Sequence, residues 1–174
     1  IVDVLIVGAG ISGIGIAAHL AKNSPQRQFE IIERRDSIGG TWDLFRYPGI
    51  RSDSDMSTFG FNFKPWRSAN VLAAGPAIKG YLGEVVDEFD LKKKIHFKHR
   101  VLTANYDTAK KKWFVEIEDA NQKRQTWIAN FVVGCTGYYN YDHGFEPDFP
   151  NKDIFKGQFI HPQPVSYTHL RAHE

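Results

Sequence analysis

Three glycines and an acid hold the clearest chemistry in this chain. Gly8-x-Gly10-x-x-Gly13 is followed by Glu33. In such spacing the first glycine permits a tight turn, the second lets backbone approach a pyrophosphate, and the third lets a helix pack closely on a strand. Ser12 adds a hydroxyl donor. A helix beginning here turns free N–H groups and a partial positive charge toward phosphates. Glu33 stands where a carboxylate accepts the hydroxyls of an adenosine ribose and repels a 2′-phosphate. Arg34 and Arg35 follow it and soften that exclusion. The pattern points to an adenine dinucleotide and leaves FAD or NAD open.

A second constellation follows in the run Gly39-Gly40-Thr41-Trp42-Asp43-Leu44-Phe45-Arg46-Tyr47-Pro48-Gly49-Ile50-Arg51-Ser52-Asp53. Gly39 and Gly40 let backbone N–H groups approach a ligand. Trp42 offers a flat, partly polar face. Arg46 and Arg51 can hold phosphate or carboxylate, and Pro48-Gly49 forces a turn. Asp53 can accept from a ribose, an amide or an arginine. The same residues also suit a surface loop tied down by Arg–Asp pairs.

These groups need a scaffold. Asp3 to Val7 reads as a buried parallel strand, Ile11 to Asn23 as a helix stopped by Ser24-Pro25, and Phe29 to Glu33 as the next strand. That is one βαβ unit with a right-handed crossover. The stretch 37–70 has little periodicity, and so long an irregular segment is more often functional than idle. Pro76 to Phe89 predicts an amphipathic helix with Ile78, Tyr81, Leu82, Val85 and Phe89 on one face. Strands are predicted over Ile95–Tyr106, Lys112–Glu118 and Thr126–Gly134, as an antiparallel meander whose last residues, Phe131 to Gly134, re-enter the central sheet. The expected fold is α/β, a Rossmann-like dinucleotide-binding domain with a parallel sheet plus an antiparallel β-meander.

Composition narrows the function classes. The 174 residues suit about one domain, and 42% apolar content suffices for a core. A net charge of +2 gives no case for nucleic acid or an anionic membrane. Cys135 is the single cysteine, so no internal disulfide can form, which fits a reducing compartment. The apolar run Val4–Leu20 lacks a preceding basic region and is broken by glycines, so it reads as neither signal peptide nor membrane helix. A cytoplasmic location is expected. Ile1 opens the chain inside a predicted strand, so the native start is expected upstream.

From Val2 to Gln163 the sequence resembles the N-terminal flavin domain of the class B flavoprotein monooxygenases, which include flavin-containing and Baeyer–Villiger monooxygenases. The likeness lies in GGTWDLFRYPGIRSDSD, in FGFNFKPW and in CTGYYNYD, and is greatest to the ethionamide-activating type. It implies that Ser12, Glu33, Thr41, Trp42, Asp43, Leu44, Asp53 and Val101 contact FAD. It implies that Arg51, Ser52 and Asp53 approach NADPH, and that Cys135-Thr136-Gly137 is the linker after the flavin strand. Cys135 itself reads as a small buried residue, since nothing beside it favours a thiolate.

The Baeyer–Villiger fingerprint fits Phe155, Gly157 and His161 but fails at Val165, where the family has an aromatic residue. His161 alone equally suits a loop histidine bonded to backbone. From Pro164 the sequence PVSYTHLRAHE departs from the family and resembles translated adaptor sequence, so 164–174 is expected to be a non-native tail after a 1–163 FAD-binding domain. The family's second glycine-rich unit, for NADPH, and its catalytic arginine fall outside these residues.

For the parent protein the resemblance implies NADPH- and O2-dependent oxygenation of a small organic substrate (a ketone, sulfide or amine), with oxygen held on the flavin as a peroxide. No side chain here is assigned as catalytic. The chain alone is expected to be inactive. Two other readings stand beside this one: a non-catalytic dinucleotide-binding fragment, and an NAD-dependent oxidoreductase. A disulfide reductase is disfavoured, because no Cys-x-x-Cys occurs.

Overall fold

The computed structural model describes residues 1–165. Residues 166–174, most of the expected non-native tail, lie outside the described residues.

Short apolar runs become strands because both faces of the central sheet are covered. β1 (Val2–Val7) sends Val4 and Ile6 to one face and Leu5 to the other. It pairs in parallel with β2 (Phe29–Ile32) on one side and with the end of β6 (Arg124–Gly134) on the other. Between β1 and β2 runs α1 (Ile11–Asn23), whose buried residues Gly13, Gly15, Ala17 and Ala18 are small enough to sit close on the sheet beside the buried Ile14. α4 (Gly75–Glu88) lays Ile78, Tyr81, Leu82, Val85 and Val86 inward. Tyr81, Leu82, Val85 and Val86 join Ile6, Phe29, Ile31 and the buried face of α1 in the larger core. Two single-turn helices, α2 (Thr41–Leu44) and α3 (Met56–Phe59), interrupt the stretch between β2 and α4 that periodicity leaves irregular.

Among the described residues six strands form one mixed sheet, in the order β3 (Ile95–His96), β2, β1, β6, β5 (Lys112–Glu118) and β4 (Arg100–Asp107). β5 pairs antiparallel with β4 and with the first half of β6. The fold is therefore Rossmann-like α/β with a parallel core, and its antiparallel part is continuous with that core through β6. Trp113 is opposite Ala129 on one partner of β6, and Val2 is opposite the same residue on the other. On the second face of the sheet, Leu5 and Ile32 pack with Val115, Ile117 and Ala129.

One expectation is corrected. Ile95–Tyr106 is two strands, not one. β3 (Ile95–His96) pairs in parallel with β2, while β4 lies at the far edge of the sheet. The break is a turn at Phe97–Lys98, with Lys98 at φ 58°. Ile95, Phe97 and Val101 keep the same parity across this point, interrupted only at His99, so the side-chain pattern gives little warning. The backbone decides it: the Lys98 N–H donates to the Arg35 carbonyl at 2.9 Å, and the His99 N–H to the Glu33 carbonyl at 3.0 Å. The turn is thus tied to the end of β2, beside the acid that sequence singled out.

Candidate dinucleotide site

The glycine loop is shaped by contacts that leave no room for side chains. Gly8 has φ +110°, and a Cβ on it would lie 2.4 Å from the Cys135 carbonyl oxygen. A Cβ on Gly13 would lie 1.9 Å from the Gly8 carbonyl oxygen. Gly10 differs, since a Cβ there would meet nothing nearer than 3.6 Å, at Gly40. Its lack of a side chain keeps the surface open rather than relieving a clash. Gly10 is also the N-cap of α1 and gives no side-chain cap. The first N–H groups of α1 therefore have no intrahelical acceptor and point out of the helix end.

Glu33 is buried, and both carboxylate oxygens are held. Oε2 accepts from the Ala9 N–H at 2.7 Å and Oε1 from the Arg35 N–H at 2.8 Å. Each oxygen keeps a second lone pair. Glu33 thus braces the glycine loop against the end of β2, and it lines the same cleft as Gly8, Gly10 and Ser12.

That cleft has a volume of 620 Å³, within the usual range for small-molecule and cofactor sites. Gly40, Thr41, Trp42, Val101, Cys135, Thr136 and Gly137 complete much of its wall. A second cleft of 650 Å³ adjoins it across Thr41, Trp42 and Tyr138–Asn140, and holds Arg51, Ser52 and Asp53. The structure therefore brings together most of the residues singled out in the sequence. Gly13, Asp43 and Leu44 line neither cleft. Ser52 lines the second but is buried and paired with Ala73 in both directions, its N–H to the Ala73 carbonyl at 2.9 Å and its Oγ accepting the Ala73 N–H at 3.0 Å. Cys135 is half-buried, and burial pushes its thiol up.

Asp43 faces inward. Its side chain is 1% exposed and is met by Arg35, by Lys79 Nζ at 2.5 Å and by Arg46 Nη2 at 3.3 Å. Burial pulls the carboxyl up, but the hydrogen bonds and charges of Lys79 and Arg35 outweigh it and hold the group below the usual carboxylate range.

Sequence reasoning missed several walls of the first cleft. His99 and Arg100 arrive through the turn after β3, which no motif marks. Tyr141 lies inside the CTGYYNYD run but was given no role. It is half-buried, burial raises its phenol, and the Arg35 guanidinium sits 5.7 Å from its ring centroid. Arg34 grips Asp142 with both terminal nitrogens and so ties this segment to the end of β2. His161 is bonded to backbone at both ring nitrogens, Nε2 to the Phe145 carbonyl at 3.2 Å and Nδ1 from the Gln163 N–H at 3.1 Å. Among the described residues no group of three or more His, Cys, Asp or Glu could hold a metal ion. Among them, too, no helix is long and apolar enough to cross a membrane.

Residues 6–72 match the NAD(P)-binding Rossmann-like domain family. A probable FAD-binding monooxygenase, AlmA of Acinetobacter baylyi, is 86% identical over 162 residues, covering 93% of this chain and 32% of that protein. Over this length the chain is similar to one part of the FAD-containing monooxygenases. The FAD-containing monooxygenase EthA of Mycolicibacterium smegmatis is 54% identical over 162 residues, 92% of this chain and 32% of its own length. The solved complex of OTEMO with FAD and NADP superposes with a TM-score of 0.74 at 28% identity, covering 93% of this chain and 30% of that one. The chain thus spans about a third of the length of the curated relatives it matches.

Proposed function

We propose that residues 1–163 are the FAD-binding domain of an NADPH- and O2-dependent monooxygenase that oxygenates a ketone, sulfide or amine. The observation that carries this reading is the meeting, in one cleft, of an uncapped helix N-terminus and a buried carboxylate at the end of β2. These are the two ends that a dinucleotide's pyrophosphate and ribose require. The choice of FAD over NAD rests on the relatives.

The residues present fit the group. Gly8 and Gly10 leave backbone open to the pyrophosphate, Gly13 lets α1 sit close enough to present its N–H groups, and Ser12 adds a donor. Glu33 would accept ribose hydroxyls with its remaining lone pairs. Val101, on the cleft wall, would border the adenine. Gly40, Thr41 and Trp42, opposite Thr136 and Gly137, wall the remaining length. Asp43 and Leu44 support that wall from behind. Arg51, Ser52 and Asp53 border the adjoining cleft, where NADPH would approach. FAD held here would supply the redox chemistry, with NADPH as reductant and O2 as oxidant. The chain's own part is to bind, orient and exclude water around it. We propose that sequence outside this chain completes the NADPH and substrate sites.

Reconstitution tests the reading. The chain is refolded with FAD and desalted, and its visible spectrum recorded. Retained stoichiometric flavin is expected, with no NADPH oxidation by the chain alone. A colourless chain that instead binds NAD would replace this reading with that of an NAD-dependent oxidoreductase, which the match to an NAD(P)-binding family favours.

A further inference from the structure

The ionic cluster around Asp43 lies behind the cleft wall rather than in it. Asp43 sits in α2, whose neighbours Thr41 and Trp42 form the wall common to both clefts. Its carboxylate meets Arg35 from the end of β2, Arg46 from the following loop and Lys79 from α4. Its carbonyl oxygen accepts again from Arg46 Nε at 3.1 Å and from Arg35 Nη2 at 3.3 Å. Arg35 itself lines the first cleft, with its guanidinium near the Tyr141 ring and its N–H on Glu33. Gly39 makes room for the arrangement, since a Cβ there would lie 3.2 Å from Asp43 Cβ and 3.4 Å from Lys79 Cγ. Three cations share one carboxylate, so the cluster keeps a positive excess, and its inner member faces the cleft.

From this geometry we propose that Asp43 and Lys79 are positioning residues for the dinucleotide. Lys79 fixes Asp43, and Asp43 fixes both the Arg35 guanidinium at the cleft and the Thr41–Trp42 wall. Lys79 lines neither cleft, and its ammonium bonds Asp43, so its contact with the site is made through Asp43. An anionic occupant would then be held by a cation whose direction is set from behind. The proposal rests on the reading of the cleft as an FAD site.

Lys79→Met, Lys79→Arg and Asp43→Asn in the 174-residue chain test it, read by FAD affinity from fluorescence quenching and by the visible band shape of the bound flavin. Lys79→Met is expected to weaken FAD about tenfold and to change the band shape. Lys79→Arg should restore both, and Lys79→Met should add little in an Asp43→Asn background, as for residues of one network. If Lys79→Met keeps FAD affinity within twofold and leaves the band shape unchanged, the proposal is wrong. Should Lys79→Met not fold, Lys79→Gln is read the same way. Failure of the unmutated chain to bind FAD would instead sink the reading on which the proposal rests.

Discussion

Gly13 shows how much a single hydrogen atom can matter. Its added Cβ would overlap the Gly8 carbonyl, a backbone atom that cannot swing aside. Gly13→Ala is therefore expected to cost about 3 kcal/mol, seen as a lower urea midpoint at unchanged slope. Gly10→Ala, with open space around it, should fold normally and lose FAD affinity instead. Asp43 makes a pH prediction. Its carboxyl is held below its ordinary value in the folded chain, so its contribution is complete above the unfolded pKa of about 3.9 and disappears as pH falls through the folded value. Asp43→Asn should cost about 3 kcal/mol at neutral pH. The gap to the parent chain should close in acid, which melting curves across that pH range would reveal. A gap independent of pH would contradict the assignment. At this scale the sequence was most readable where backbone geometry demands glycine. It was least readable at Asp43, because a charged residue in a loop gives no sign of whether it faces a ligand or three cations behind the wall.

Elements were read well wherever side-chain period and backbone pairing agree. α1 and α4 follow their apolar stripes, and Phe131 to Gly134 does enter the central sheet. Reading failed at Phe97–Lys98, where the deciding hydrogen bonds come from main-chain groups of a distant strand end. His99 and Arg100 reach the cleft by that turn and were missed for the same reason. The segment from Phe61 to Trp66 depends on another such link. Tyr81 on α4 accepts the Phe61 N–H at 2.8 Å and donates to the Lys64 carbonyl at 2.6 Å. Tyr81→Phe keeps the ring but leaves both partners unmet, and should cost about 1–3 kcal/mol. Hydrogen exchange should show the loss first at the Phe61 amide. If protection there is unchanged, the loop is held by its stacked rings, Phe61 on Phe63 and on Tyr81.

For the whole molecule, the site is a meeting of distant pieces. The glycine loop, the end of β2, α2, the turn before β4 and the segment after β6 all contribute to one cleft. A ligand bound there links them, so FAD at a hundred times its dissociation constant should stabilise the chain by about 2.7 kcal/mol. Calorimetry should show a melting temperature that rises with FAD concentration, and NADPH at the same concentration should give little of this shift. An equal shift from NADPH would point to a nicotinamide site in the first cleft.

β6 has one further consequence, and it concerns time. β1 finds β2 within its first thirty or so residues, but its other neighbour is residues 129–134. During synthesis β1 must therefore wait until residues 129–134 have emerged. Until then β1 keeps one bare edge, open to pairing with another nascent chain. Such distant pairing also slows the search for the native sheet. The step that closes the sheet is also the one that carries Cys135 to Gly137 to the glycine loop, through the Cys135 N–H on the Val7 carbonyl. Completion of the fold and completion of the cleft are thus one event, and a ribosome-bound chain that stops short of Gly134 should capture no dinucleotide.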